Sequence, residues 1–160
     1  MVTNIDADHM ATYGGDFGQL TDTFRMFLHN LPFYGLAVLC SDDPVIRDLR
    51  PHIRRPVVTY GVEPGADYQA TAIRQHGTRM QFTASLMGDS RIEVDLALPG
   101  LHNVRNALAA IAVADKVGIS PDSIVKGLRN FAGIGRRFEI LGEIRFDSGR
   151  ALLVDDYAHH

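Results

Sequence analysis

Residues 36–40, Leu-Ala-Val-Leu-Cys, form an unbroken apolar run, and this run constrains the fold more than any other stretch. A strand with one wet face alternates apolar and polar side chains. A strand without alternation must be covered on both sides, as the inner strands of parallel sheets are. Such a strand needs helices close by, and the sequence supplies them. Asp16 is placed to cap a helix, with Gln19 three positions on to complete a capping box. Leu20, Phe24, Phe27 and Leu28 then recur at the spacing of one core-facing helical stripe. Asp43-Pro44 starts a short helix running to about Leu49, because proline suits the first helical position. Residues 57–60 read as a second short strand, closed by Gly61. Residues 2–5 read as the end of a buried strand, delivering Asp6, Asp8 and His9 at its C-terminal edge. Ligands gather at that edge in open α/β sheets.

Residues 67–98 change character. Segments 68–73, 78–87 and 91–98 alternate apolar and polar, with turns at Gln75-His76-Gly77 and Gly88-Asp89-Ser90. This pattern predicts an antiparallel meander with one wet face. A helix over 102–116 ends at Gly118, and Ser120-Pro121 starts the next, with serine as its cap. Segments 138–144 and 151–154 read as final strands. The expected class is α/β, a mostly parallel sheet with flanking helices plus a small antiparallel β layer. At 160 residues the chain fits a single domain, 1–160.

Composition excludes several classes of function. A net charge of −3 gives no basic face for nucleic acid. No apolar run approaches the roughly 18 residues of a membrane span, and no basic segment leads into an apolar core at the N-terminus, so no signal peptide is expected. The single cysteine, Cys40, forms no internal disulfide and fits a reducing cytoplasm. Its place in the apolar run predicts a buried, inert thiol.

The chemistry is concentrated in four motifs. Residues 99–110, Pro-Gly-Leu-His-Asn-Val-Arg-Asn-Ala-Leu-Ala-Ala, set a turn before a helix of small side chains. They place His102, Asn103 and Asn106 around a helix start, where unpaired N–H groups and the positive dipole end attract anions. Asn103 is suited either to capping that helix or to the edge of a nucleotide base, which needs a donor beside an acceptor. His9, beside Asp6 and Asp8, suits either a local hydrogen bond or a metal ion. Arg136 and Arg137 follow Gly133 and Gly135, and their guanidinium forks suit either phosphate or solvent. Asp155 and Asp156 follow a strand end at Val154, and adjacent side chains on a strand point oppositely, so one of the pair faces a ligand.

Four ordered segments, Thr3-Asn4-Ile5-Asp6-Ala7-Asp8-His9-Met10, His102-Asn103-Val104-Arg105-Asn106, Gly133-Ile134-Gly135-Arg136-Arg137-Phe138-Glu139 and Val154-Asp155-Asp156-Tyr157-Ala158-His159-His160, together resemble the ATP-dependent Mur ligases of bacterial cell-wall synthesis. Phe27-Leu28-His29-Asn30-Leu31-Pro32-Phe33-Tyr34-Gly35 brings the resemblance nearest to the branch that joins L-alanine to UDP-N-acetylmuramate through an acyl phosphate. The resemblance implies ATP and Mg2+ as cofactors, with His9 on the metal. It assigns His102, Asn103 and Asn106 to the adenine end, Arg137 to the nucleotide, and Asp156 to the ribose hydroxyls. Arg136 becomes structural or peripheral. His9 and Arg137 carry the catalytic roles, and Tyr157, His159 and His160 lie near the phosphates and the muramoyl substrate.

The departures are informative as well. No Gly-x-x-x-x-Gly-Lys-Ser/Thr loop is present, and Lys116 and Lys126 are the only lysines. The chain is therefore expected to be the later part of the central ATP-binding domain, without its upstream phosphate loop or the C-terminal domain, and inactive alone. Residues 16–31 contain no lysine, so the bridging carbamate that several Mur ligases carry there is not expected. Ala11 and Ala158 stand where the family usually has aspartate and glycine. The rival readings are another Mur-type amino-acid or peptide ligase, and a non-catalytic nucleotide-binding module.

Overall fold

The computed structural model describes residues 1–157 apart from residue 89. Helix α1 (Phe17–His29) begins at Asp16, whose side chain accepts from the Gly18 N–H. Strand β1 (Ala37–Cys40) follows, with all four residues buried, as the apolar run requires. Helix α2 (Pro44–Leu49) is capped by Asp43, which accepts from the Ile46 N–H. A 3-10 turn, Arg50–His52, leads to β2 (Val57–Gly61). The meander is β3 (Tyr68–His76), β4 (Arg79–Ser85) and β5 (Arg91–Leu96). Helix α3 (Leu101–Lys116) and helix α4 (Pro121–Asn130) come next. The hairpin β6 (Glu139–Phe146) and β7 (Gly149–Asp155) ends the described part.

The five strands β1 to β5 form one sheet in sequence order. β1 pairs parallel with β2, Ala37 opposite Val57 and Cys40 opposite Tyr60. The meander is not a separate layer, because β3 pairs parallel with β2 through Tyr60↔Tyr68 and Gly61↔Gln69. β3, β4 and β5 then run antiparallel. Thr59 and Asp67 fix the β2–β3 junction: Asp67 accepts from both the N–H and the hydroxyl of Thr59, each at 2.8 Å. The N-terminal segment joins β1 by a single parallel bridge, Val2 to Leu39. It is thus less than a strand, although Val2 and Ile5 are buried as expected.

Helix α3 packs against β1, β2 and β3, and α4 against β5. The small side chains of α3 explain its position. Ala107, Ala109 and Ala112 are buried and let the backbone approach the sheet, while Leu108 and Ile111 fill the space at 0% exposure. The Tyr68 hydroxyl donates to Asp115 at 2.7 Å, tying β3 to the far end of α3. Burial, then the Asp115 carboxylate, pushes the Tyr68 pKa above its ordinary value. Cys40 is buried, and burial raises its thiol pKa, so the thiolate needed for reactivity is disfavoured.

One expectation needs correction. Phe27 does not join the buried stripe of α1: Leu20 and Leu28 are buried, but Phe27 is 55% exposed. The final strands form their own two-stranded antiparallel sheet, and its apolar residues Ile144, Phe146, Leu152 and Leu153 remain exposed.

The α3–sheet contact should dominate stability. Leu108→Ala removes a fully buried side chain in a close-packed layer, at an expected cost of about 2–5 kcal/mol. Urea unfolding of wild type and variant measures it. A midpoint shift corresponding to well under 1 kcal/mol would mean that α3 is loosely seated.

Candidate nucleotide site

The residues of interest lie at the C-terminal edge of β1 and β2 and on the elements that lead away from it. The organising group there is one that sequence reading missed. Asp42 follows β1, and its side chain is only 5% exposed. It accepts from the N–H groups of Val62 and Glu63 at 3.0 Å, beyond the end of β2. It also accepts from Arg105 Nε at 2.7 Å, from α3. Burial alone would raise the Asp42 pKa, but the Arg105 guanidinium and the two N–H groups outweigh it and hold the carboxyl below its ordinary range. Gly61 has no room for a side chain: a Cβ there would run into the Asp42 carboxylate. The adjacent Asp43-Pro44 cap concealed Asp42 in the sequence, and Arg105 sits unremarked between Asn103 and Asn106.

Arg105 fixes the start of α3, and with it His102, Asn103 and Asn106. Gly100, at φ 93°, caps the helix. A Cβ at Gly100 would lie 2.7 Å from the His102 ring, so only glycine lets the imidazole sit over the turn. Asn103 is not the cap. It is the third helical residue, and its Nδ2 donates to Pro99 O at 2.7 Å. The second amide hydrogen and the amide oxygen are left for a ligand. Asn106 lies one turn on, at the surface.

The Gly133-Ile134-Gly135-Arg136-Arg137 segment begins beside the residue that precedes this turn. Gly133, at φ 99°, packs so closely that a Cβ would touch Leu98 Cδ2 at 3.0 Å. Leu98 immediately precedes the Pro99-Gly100 turn, so two motifs more than 30 positions apart in sequence are in contact. Arg136, at φ 60°, donates its N–H to Glu139 Oε2 at 2.7 Å. Its guanidinium lies 5.0 Å above the Tyr157 ring and 3.9 Å from Asp155. The Tyr157 N–H donates to Arg136 O at 2.8 Å. The third and fourth motifs therefore form one cluster. Within it, Arg136 and Asp155 are paired with each other. Arg137 and Asp156 are exposed, and their side chains are in no ion pair among the described residues. His159 and His160 lie outside the described residues.

His9 sits apart, at φ 52°, where the chain enters a 3-10 turn, Met10–Tyr13. Its ring Nε2 is 3.6 Å from Asp8 Oδ2, and its N–H donates to Asp8 Oδ1 at 2.8 Å. Asp6 instead accepts from Asn4 at 2.7 Å. No group of three or more His, Cys, Asp or Glu side chains converges among the described residues. His9 and Asp8 therefore do not make an all-protein metal cage, and an ion held there would take most of its ligands from water and phosphate.

The chain is similar to a known family and to several solved proteins. A family description, the Mur ligase middle domain, matches residues 1–114. The UDP-N-acetylmuramate–alanine ligase MurC from Thermotoga maritima is 28% identical, with a TM-score of 0.79 over 99% of this chain and 34% of its own. MurF from Acinetobacter baumannii is 25% identical, with a TM-score of 0.78 over 96% of this chain and 32% of its own. The MurF ligase from Thermotoga maritima, solved in complex with ADP, shares the fold at 20% identity and a TM-score of 0.72, over 88% of this chain and 32% of its own. The chain belongs to the Mur ligase family and corresponds to its middle domain. It spans about a third of the length of these solved chains.

The Asp42 hub gives a pH prediction. A carboxyl whose pKa is lowered in the folded state adds stability above its unfolded value, near 3.8, and loses it as pH falls through the folded value. Asp42→Asn should therefore be less stable than wild type at pH 7 and should unfold with a shallower dependence on pH in acid. Arg105→Met should cost about 1–3 kcal/mol at pH 7, because it strips a charged partner from a buried carboxylate. Denaturant titrations between pH 7 and pH 3 test both. Parallel wild-type and Asp42→Asn curves would show that the carboxylate contributes no linkage.

Proposed function

We propose that this chain supplies the base- and ribose-binding part of the ATP site of an amide-forming ligase, one that joins L-alanine to UDP-N-acetylmuramate in peptidoglycan synthesis in the cytoplasm. The observation that carries the proposal is the contact between Gly133 and Leu98. It joins the loop that carries Arg136 and Arg137 to the residue before the Pro99-Gly100 turn, which supports assigning them to the same ligand as Asn103.

In this reading Asn103 and Asn106 meet the adenine edge and His102 shapes the pocket wall. Asp156 takes the ribose hydroxyls, while Asp155 stays with Arg136 and holds it against Tyr157. Arg137 reaches the phosphates, where a guanidinium fork neutralises charge and fixes geometry. His9, oriented by Asp8, holds the magnesium ion, which neutralises phosphate charge when bound. Tyr157 lies near the phosphates and the muramoyl substrate. In the whole ligase the muramoyl carboxylate takes the γ-phosphoryl group to give an acyl phosphate and ADP. The alanine amine then displaces phosphate. The protein contributes positioning and charge neutralisation. Without a phosphate loop, the domain 1–160 binds nucleotide but does not turn it over.

A second reading is supported by the similarity to MurF, nearly equal to that to MurC: a ligase that adds a peptide in place of alanine. Joined to a phosphate loop and a C-terminal domain, the chain should incorporate radiolabelled L-alanine and not a dipeptide. The reverse result replaces the first reading by the second.

The nucleotide half-site is testable in the chain as it stands. Calorimetric titration of ADP with magnesium should show weak saturable binding. Asn103→Ala should weaken it about tenfold or more, the scale of one lost base-edge hydrogen-bond pair. Equal affinity in the two proteins, both folded by circular dichroism, would remove Asn103 from the adenine site.

A further inference from the structure

The opposite edge of the sheet carries a second feature. Helix α1 runs away from the C-terminal edge and ends near the start of β1. The segment between α2 and β2 ends there as well. Between them lies a cavity of about 350 Å³ lined by Arg25, His29, Pro51, His52, Arg54 and Arg55. Its lining contains three guanidinium groups and two imidazoles, and no carboxylate. The chain as a whole is acidic, with a net charge of −3, so this concentration of positive charge is local.

One of the three guanidinium groups is also fixed in place. Arg55 is half-buried, and its hydrogen bonds go to neutral carbonyls: Nε to Leu31 O at 2.7 Å, Nη2 to His29 O at 2.8 Å and Nη1 to Arg54 O at 3.2 Å. Those bonds close the end of α1 and hold the guanidinium rigid while leaving its charge uncompensated. His29 Nε2 donates to His52 O at 3.1 Å, which orients that ring too. Arg25 has a counter-ion, Asp22 at 3.0 Å, but both side chains are largely exposed and the pair is weak. The Arg54 side chain is exposed and is in no ion pair among the described residues. A concave, polar site with one anchored guanidinium, two more on its wall and no carboxylate in its lining is complementary to a compact polyanion.

We propose that this cavity binds a small polyphosphate, a linear chain of two or three phosphoryl groups, free or as the tail of a nucleotide. Arg54 and Arg25 close on the outer oxygens, and the immobile Arg55 supplies the fixed charge at the base. The site is separate from the adenine site at the other edge and does not depend on that assignment.

The test is calorimetric titration of inorganic triphosphate, without magnesium, into wild type, Arg54→Glu and Asn103→Ala, with circular dichroism to check folding. Arg54 is exposed and its side chain anchors no backbone, so Arg54→Glu should fold. Expected are saturable binding in wild type and in Asn103→Ala, and a loss of tenfold or more in Arg54→Glu. ATP titrated into Asn103→Ala then separates the sources. Binding that Arg54→Glu abolishes assigns the pocket to nucleotide tails, and binding of triphosphate alone assigns it to free polyphosphate. Absence of saturable binding in wild type, or equal affinity in Arg54→Glu, overturns the proposal.

Discussion

The Asp42 carboxylate joins three segments that the chain visits at widely separated times. It receives hydrogen bonds from the loop after β2 and from α3, and itself ends β1. A buried carboxylate with two N–H donors and a guanidinium is satisfied, whereas losing any one donor leaves a charge in a poorly solvated place. The start of α3 is therefore fixed in position as well as in conformation. Every candidate adenine contact depends on it, since His102, Asn103 and Asn106 occupy the first two turns of that helix. The Gly133 loop, packed on Leu98, inherits the same frame.

The sheet was largely legible because its strands obey simple patterns. The unalternating run at 36–40 is the buried β1, and the alternation from residue 68 is the meander, with Met80, Phe82 and Ala84 inward along β4. The joining of meander to parallel strands was not legible. It rests on two backbone pairings at the end of β2 and on the Thr59–Asp67 bonds, and a sequence pattern records which face is buried, without recording which neighbour pairs. Phe27 failed for a related reason. Periodicity places it beside Leu20 and Leu28, but whether a flank of the stripe is covered depends on the neighbouring element.

The site was legible as motifs and not as geometry. Asn103 illustrates this: spacing favoured a cap, yet Gly100 takes that position, and the amide turns back to Pro99. The division of labour within each like-charged pair also needed coordinates. Arg136 pairs with Asp155 and lies over the Tyr157 ring, which leaves Arg137 and Asp156 as the members in no ion pair among the described residues. Asp42 and Arg105 escaped altogether, because a buried ion pair between residues 63 positions apart leaves no local trace.

Backbone conformation adds an independent line of argument. Four non-glycine residues have positive φ among those described: His9, Ala72, Arg136 and Phe138. Ala72 lies where β3 shifts register against β4, and a bulge accounts for it. The other three fall within the motifs that resemble a nucleotide and metal site, in segments with no register to repair. A left-handed non-glycine residue costs of order 1 kcal/mol and persists only where its surroundings impose it. At Arg136 the imposing contacts are visible: Glu139 holds its N–H, Tyr157 holds its carbonyl, and the guanidinium lies over the Tyr157 ring. That strain is therefore held by specific contacts, which set the Arg136 guanidinium over the Tyr157 ring while Arg137, the next residue, is in no ion pair among the described residues.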